Sequence, residues 1–151
     1  LERMRRMLTD YSRIVVAYDH SDLSKKALKM AMNLAKQDNQ IELLVFMVMQ
    51  PARPIVYSYG YAFEAIQDSQ REEANAIRKE IEEEIKSLPN KTRTVVMEGN
   101  PGVMIVEFVK QNDADLVVMG SRGLSGLKEL FLGSVSHYVV QKAPCPVFIV
   151  K

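Results

Sequence analysis

Residues 116–123, with the sequence LVVMGSRG, decide the class of fold to which this chain belongs. The four apolar residues that open the stretch have the length and composition of a buried strand, and the glycines that close it mark a turn. After nine intervening residues, 124–132, the sequence GSVS at positions 133–136 opens a helical pattern. A short apolar strand, a turn and a helix form the repeating unit of an α/β protein. The stretch therefore predicts an α/β fold.

The same alternation of strand and helix extends over the rest of the chain. Residues 13–18 and 41–49 are apolar runs typical of strands that are covered on both faces of a parallel sheet. The remaining predicted elements are strands at 93–98, 116–119 and 147–150, and helices at about 22–35, 62–88, 102–112 and 134–142. The order β-α-β-α-β-α-β-α-β predicts one domain with a parallel sheet, right-handed crossovers and helices on both faces.

The first two helices carry apolar stripes that predict which of their faces is buried. The expected stripes are Leu23, Ala27, Met30, Ala31, Leu34 and Ala35 in the first helix, and Ile66, Ala74, Ile77, Ile81, Ile85 and Leu88 in the second. The charged residues from Arg71 through Lys86 are expected to form a solvated face. Residues 55–61, which include three tyrosines, are predicted to be irregular.

The composition restricts the possible functions. The 151 residues are 47% apolar and 26% charged, as in an ordinary soluble domain. A net charge of +1, without a basic stripe and interleaved aromatic residues, argues against a nucleic-acid partner. No apolar stretch reaches the roughly 18–20 residues of a membrane span, and no signal-peptide pattern is found, so we expect a cytoplasmic protein without a membrane partner. The lone Cys145 excludes an internal disulfide and is expected to pack as a small side chain.

The glycines of the opening stretch point to a phosphate. Gly120, Gly123 and Gly133 let backbone N–H groups approach a ligand without interference from a Cβ atom. The helix after Gly133, with Ser134 as its expected N-cap, adds unpaired N–H groups and a dipole that favours an anion. The hydroxyls of Ser134 and Ser136 are further donors. The spacing is neither that of a Walker A motif nor that of a dinucleotide fingerprint.

The predicted topology gives this phosphate site its surroundings. In open α/β sheets, ligands bind beyond the carboxyl ends of the strands, at a switch in strand order. The ends of interest are residues 18–19, 47–49 and 119–120. We expect all three to lie on one edge of the sheet.

The two-part motif G-x-x-G-x9-G-S over residues 120–134 resembles that of the universal stress protein family, in its ATP-binding branch. The resemblance runs from Ile14 to Val150. It includes Asp19 after the first strand, Val48 and Pro51 after the second, the turn at 99–101, and the whole of 114–123. It implies a single Rossmann-like domain of the adenine nucleotide alpha hydrolase type, with a five-stranded parallel sheet in the order 3-2-1-4-5. That domain would cover residues 13–151. Residues 1–12 would form an N-terminal lead, part of which could derive from cloning.

The resemblance also implies roles for individual residues on the adenosine side of the site. Asp19 would lie near the adenine and the ribose and accept hydrogen bonds from ribose hydroxyls. Ala17 and Tyr18 would line the adenine with backbone groups, and Val48 would pack on the base. The ligand would be ATP or another adenine nucleotide, and whether Mg²⁺ accompanies its phosphates is left open.

On the phosphate side, Met119 and Gly120 would lie beneath the ribose and the α-phosphate. Contacts to the phosphates would come from Gly123, Gly133 and Ser134. Val135 and Ser136 would complete the N-terminus of the helix. Arg122 is expected either to reach a phosphate or to be an exposed loop residue. The resemblance further implies a homodimer that forms through the last strand, at residues 146–150.

Several alternatives stay open from the sequence. Asp19 could merely cap the following turn, and the glycines could serve a tight turn alone. His20 stands where the family usually has glycine, and it could crowd the ribose, hydrogen-bond it or face solvent. Near the glycines, Glu129 and the more distant Asp19 are the carboxylates, and neither has a spacing that argues for a metal. Binding with slow or no hydrolysis is therefore better supported than a nucleotide hydrolase, a phosphotransferase or a nucleotide-independent interaction module.

Overall fold

The computed structural model describes residues 12–51, 60–124 and 132–151, the first three residues of the middle range through their backbone alone. The strands are β1 (Arg13–Tyr18), β2 (Glu42–Met49), β3 (Thr92–Glu98), β4 (Leu116–Gly120) and β5 (Val147–Val150). The helices are α1 (Asp22–Ala35), α2 (Gly60–Ile85), α3 (Pro101–Gln111) and α4 (Ser134–Lys142). The strands form one parallel sheet in the order β3-β2-β1-β4-β5, which confirms the predicted fold class and strand order.

The sheet separates two apolar layers. One layer packs α1 and α2 against alternate residues of the strands, such as Val16 and Val45. The other packs α3 and α4 against the intervening residues, such as Val15 and Phe46. Burial on both faces explains why the central strands are continuous apolar runs.

Side-chain caps fix the starts of two helices. Ser21 accepts a hydrogen bond from the Ser24 N–H at 3.2 Å and caps α1. Asn100 accepts one from the Val103 N–H at 3.2 Å, and Pro101 follows at the first helical position of α3. Ser21-Asp22 and Asn100-Pro101 are both sequences typical of a helix start.

Some predicted limits and faces were wrong. Helix α2 begins at Gly60, within the stretch predicted to be irregular, of which residues 55–59 lie outside the described part. It ends at Ile85 instead of Leu88, and the last turn tightens there, since the Leu88 N–H donates to the Ile85 carbonyl three residues earlier at 3.0 Å. Met30 and Ile66, assigned to buried stripes, are 37% and 41% exposed. In α1 the buried face is instead Ser24, Ala27, Leu28, Ala31, Met32 and Ala35.

Candidate functional site

The carboxyl ends of β1, β2 and β4 meet at one edge of the sheet, where Ala17 is in register with both Phe46 and Met119. A cavity of about 540 Å³ lies along this edge. The structure places all of the predicted site residues in its walls: Ala17, Tyr18, Asp19, Val48, Met119, Gly120, Arg122, Gly123, Gly133, Ser134, Val135 and Ser136.

The carbonyl of Ser121 joins the two halves of the glycine motif. It accepts hydrogen bonds from the Gly133 N–H at 2.8 Å and from the Ser136 Oγ at 2.8 Å. The Ser121 N–H donates to the carbonyl of Val150 at 2.8 Å, which fixes the turn to the edge strand β5. The Ser136 hydroxyl, expected from the sequence to be a donor to the ligand, is therefore engaged in holding this turn, and its residue is only 2% exposed.

Helix α4 spans the predicted residues, Ser134–Lys142, but its N-cap lies one residue earlier than predicted. Gly133, and not Ser134, is the N-cap, because its backbone is extended (φ −67°, ψ 165°) while its carbonyl already accepts the His137 N–H at 2.9 Å. Ser134 is the first helical residue. Since the N-cap provides no side-chain hydrogen bond, the first N–H groups of α4 are open to a ligand in the cavity.

Asp19 ties the end of β1 to the first half of the glycine motif. Its Oδ1 accepts the Ser21 N–H at 3.0 Å, and its Oδ2 accepts the Leu124 N–H at 3.2 Å. The turn-capping alternative is thus part of its role. A carboxylate can accept about four hydrogen bonds, so capacity for a ligand hydroxyl remains.

The protein's own packing requires glycine at two of the three glycine positions of the motif, each for a different reason. A Cβ at Gly120 would lie 2.8 Å from the Leu23 Cβ, so Gly120 allows α1 to pack closely. A Cβ at Gly123 would collide with the Asp19 Oδ2. At Gly133 the nearest atoms would be 3.5 Å away, an ordinary contact, and the φ of −67° suits any residue. The protein itself therefore does not require glycine at 133.

One wall of the cavity was not predicted from the sequence. Helix α2 contributes Gln70, Glu73, Ala74 and Ile77, which recur at helical spacing along one face. The apolar stripe had included Ala74 and Ile77, but nothing in the sequence showed that this end of the stripe would reach the strand ends. The other wall residues that we did not predict are Ser21, Ser24, Phe46, Gln50, Pro101, Ile105 and Leu124.

Two ionisable side chains, one at the carboxyl end of β1 and one just before β5, have altered acidity. Burial raises the pKa of Tyr18 to about 12, with further contributions from the negative charges of Glu84, Glu80 and Asp19. Burial, and then Asp115, raises the pKa of the half-buried Cys145 thiol. The raised pKa values extend the pH range over which both groups are neutral.

His20 does not simply face solvent. It has a positive φ of 66°, in the left-handed region. Its Nε2 lies 3.1 Å from the Glu80 Oε2 on α2, and its side chain is 31% exposed.

Within the described ranges, no three His, Cys, Asp or Glu side chains are grouped so that they could hold a metal ion. Glu129 lies outside those ranges. None of the helices seen in the described part is both long and apolar enough to cross a membrane.

The fold and the cavity define a doubly wound α/β protein with a ligand-sized site at the strand ends. Residues 10–151 match the sequence model of the universal stress protein family. The chain therefore belongs to the universal stress protein family.

Individual relatives agree with this assignment. The chain is 36% identical over 148 residues to the universal stress protein YxiE of Bacillus subtilis, a match that covers 93% of this chain and 99% of the relative. The structure of the universal stress protein UspA from Lactobacillus plantarum is similar with a TM-score of 0.82 and 26% identity, over 93% of this chain and 98% of that one. A universal stress protein solved in complex with cAMP is similar with a TM-score of 0.68 and 28% identity, over 93% and 96% of the two chains.

Proposed function

We propose that this protein binds an adenine nucleotide, ATP in the first place, as a regulatory protein of the stress response. The observation that carries the proposal is the junction at Ser121, which brings both halves of the glycine motif to one cavity beside Asp19. Backbone N–H groups at a helix N-terminus are a favourable environment for phosphates. The relative in complex with cAMP supports an adenine nucleotide as the ligand.

The residue roles follow from the positions in the cavity. We assign the adenosine end to Ala17, Tyr18, Asp19 and Val48, which line the side of β1 and β2. The phosphates are assigned to the two halves of the glycine motif and to the start of α4. Gly133 supports this assignment most directly, because the protein's own packing leaves room for a side chain there. A phosphate close to the backbone would take that room.

Isothermal titration calorimetry on protein stripped of ligand tests the proposal. We expect saturable ATP binding. Gly133→Ala should weaken it about tenfold or more, because its methyl group would keep the phosphate away from the backbone N–H groups, and hydrogen bonds to a charged group contribute about 1.5–3 kcal/mol each. Val140→Ala, at a position 45% exposed on the same helix, is the matched control and should bind normally. Absence of ATP binding by the unaltered protein would refute the function, provided that it is folded.

We further propose that hydrolysis of the bound nucleotide is slow or absent and that Mg²⁺ is optional. Asp19 and Glu73 are the carboxylates among the described residues of the cavity, and Asp19 already accepts two backbone N–H groups. Single-turnover measurement of phosphate release with Mg²⁺ distinguishes a binding protein from a hydrolase. Stoichiometric release within minutes would favour the hydrolase.

The proposed setting is a cytoplasmic homodimer, without a nucleic-acid or membrane partner. Strand β5 lies at one edge of the sheet, where its outer backbone groups can pair with a second copy. The residues of this contact would be 146–150, as the family resemblance implies.

A further inference from the structure

The loop between β1 and α1 contains a residue in an unfavourable backbone conformation. His20, directly after Asp19, has a φ of 66°. The left-handed region disfavours residues with a Cβ atom, and glycine adopts it without strain. A strained residue that persists beside a binding site is a reason to look for what its side chain does.

The side chain of His20 makes two contacts that glycine could not make. Its Nε2 lies 3.1 Å from the Glu80 Oε2, and because a carboxylate can only accept, the ring nitrogen is the donor. Its ring lies 6.1 Å from that of Tyr18, between centroids, with the planes tilted by 49°. The first contact reaches from the β1–α1 loop to α2.

Glu80 belongs to the same face of α2 as the cavity wall. Glu73 and Ile77 line the cavity, and Glu80 follows Ile77 at the next helical position on that face. The contact with His20 thus joins the wall provided by α2 to the loop that carries Asp19. The Oδ2 of Asp19 in turn lies close to Gly123 and accepts a hydrogen bond from the Leu124 N–H.

We propose that the His20–Glu80 pair positions Asp19 for nucleotide binding by holding the β1–α1 loop against α2. The pair fixes in advance the place where the Asp19 carboxylate meets both the glycine motif and the ligand. Without it the loop samples other arrangements, and the affinity falls in proportion to the fraction of molecules in which Asp19 is still in place. The inference rests on the proposed nucleotide function for its affinity measurement.

Four variants test the proposal by ATP calorimetry. His20→Gly and Glu80→Ala should each weaken binding about two- to fivefold, the range for a partly exposed pair. Glu80→Gln keeps an acceptor oxygen and should retain most of the affinity. Glu72→Ala removes an exposed glutamate from the same helix and should bind normally. Since loss of a negative charge should by itself favour an anionic ligand, weaker binding by Glu80→Ala indicates positioning.

The unfolding free energy separates positioning from a purely structural role. His20→Gly removes backbone strain, so its unfolding free energy should be unchanged or higher while its affinity is lower. The double variant His20→Gly/Glu80→Ala should bind no more weakly than either single variant, because both remove the same contact. Additive losses of affinity, or normal binding by both single variants, would overturn the proposal.

Amide hydrogen exchange without nucleotide keeps this inference separate from the proposed function. The N–H groups of Ser21 and Leu124 both donate hydrogen bonds to the Asp19 carboxylate. We expect both to exchange faster in His20→Gly and in Glu80→Ala than in the unaltered protein and in Glu72→Ala. If the protein fails to bind ATP but these rates rise, the function is wrong and the positioning contact stands. Unchanged rates would overturn the contact itself.

Discussion

Tyr18 ends β1 with its ring in the core and its hydroxyl under the influence of three carboxylates. Burial comes first among the causes that raise its pKa from 10.0 to about 12. A raised pKa in the folded state means that folding favours the protonated phenol. The resulting contribution to stability is complete below pH 10 and is lost as the pH rises from 10 towards 12.

We predict that Tyr18 ionises later than an unshifted tyrosine in an absorbance titration of the folded protein. Its ionisation should come at about pH 12 or together with unfolding. In Tyr18→Phe this late step should be missing, and the unfolding free energy should fall less between pH 10 and 12. If all six tyrosines titrate near pH 10 while the protein is folded, the environment that we assign to Tyr18 is wrong.

At the same scale, the sequence predicts which residues meet but not every role they play. Asp19 and the glycines were recognisable because strand ends and glycine spacing are local features. The reasons for Gly120 and Gly123 were not, since Leu23 and the Asp19 carboxylate approach them through the fold. The positive φ of His20 was equally hidden, because nothing in the sequence showed its partner Glu80.

Among the elements, α3 and α4 pack against each other through a glycine. A Cβ at Gly102 would lie 2.9 Å from the Tyr138 Cδ1 and 3.2 Å from its Cγ. Overpacking of this kind costs about 1–3 kcal/mol. The preference of a helix for alanine over glycine opposes it by only about 0.5–1 kcal/mol. The steric cost should therefore outweigh the helix preference.

We predict that Gly102→Ala lowers the unfolding free energy by about 1 kcal/mol, as measured by urea denaturation. In a Tyr138→Ala background the ring is gone, and the same change should become neutral or stabilising. This reversal of sign identifies the ring contact as the cause. Destabilisation of equal size in both backgrounds would show that the two helices do not meet in this way.

The elements also show where sequence patterns lose their information. The apolar stripes identified the helices, yet Met30 and Ile66 were placed on the wrong faces. An apolar residue at helical spacing predicts a face only to within a position, and the packing partner decides the rest. The contribution of α2 to the cavity was missed for the same reason, because it depends on how the helix lies across the sheet.

For the whole molecule, the alternation of strands and helices predicted the parallel sheet, and its order followed from the family resemblance. The chain order alone does not determine strand order, because several right-handed arrangements share it. The sheet in turn determines the position of the site, since the carboxyl ends of parallel strands all lie at the same end of the sheet. It also leaves β3 and β5 as the two edge strands.

The two edges allow a controlled test of the proposed homodimer. Phe148 on β5 is 42% exposed, and Met97 on β3 is 44% exposed. If two copies join through β5, Phe148→Lys places a charge in the contact of each copy and should raise the dimer Kd by about thirtyfold or more. Met97→Lys introduces the same charge on the opposite edge and should leave the dimer intact. Sedimentation velocity over a range of protein concentrations measures both, and dissociation by Met97→Lys alone would move the contact to β3.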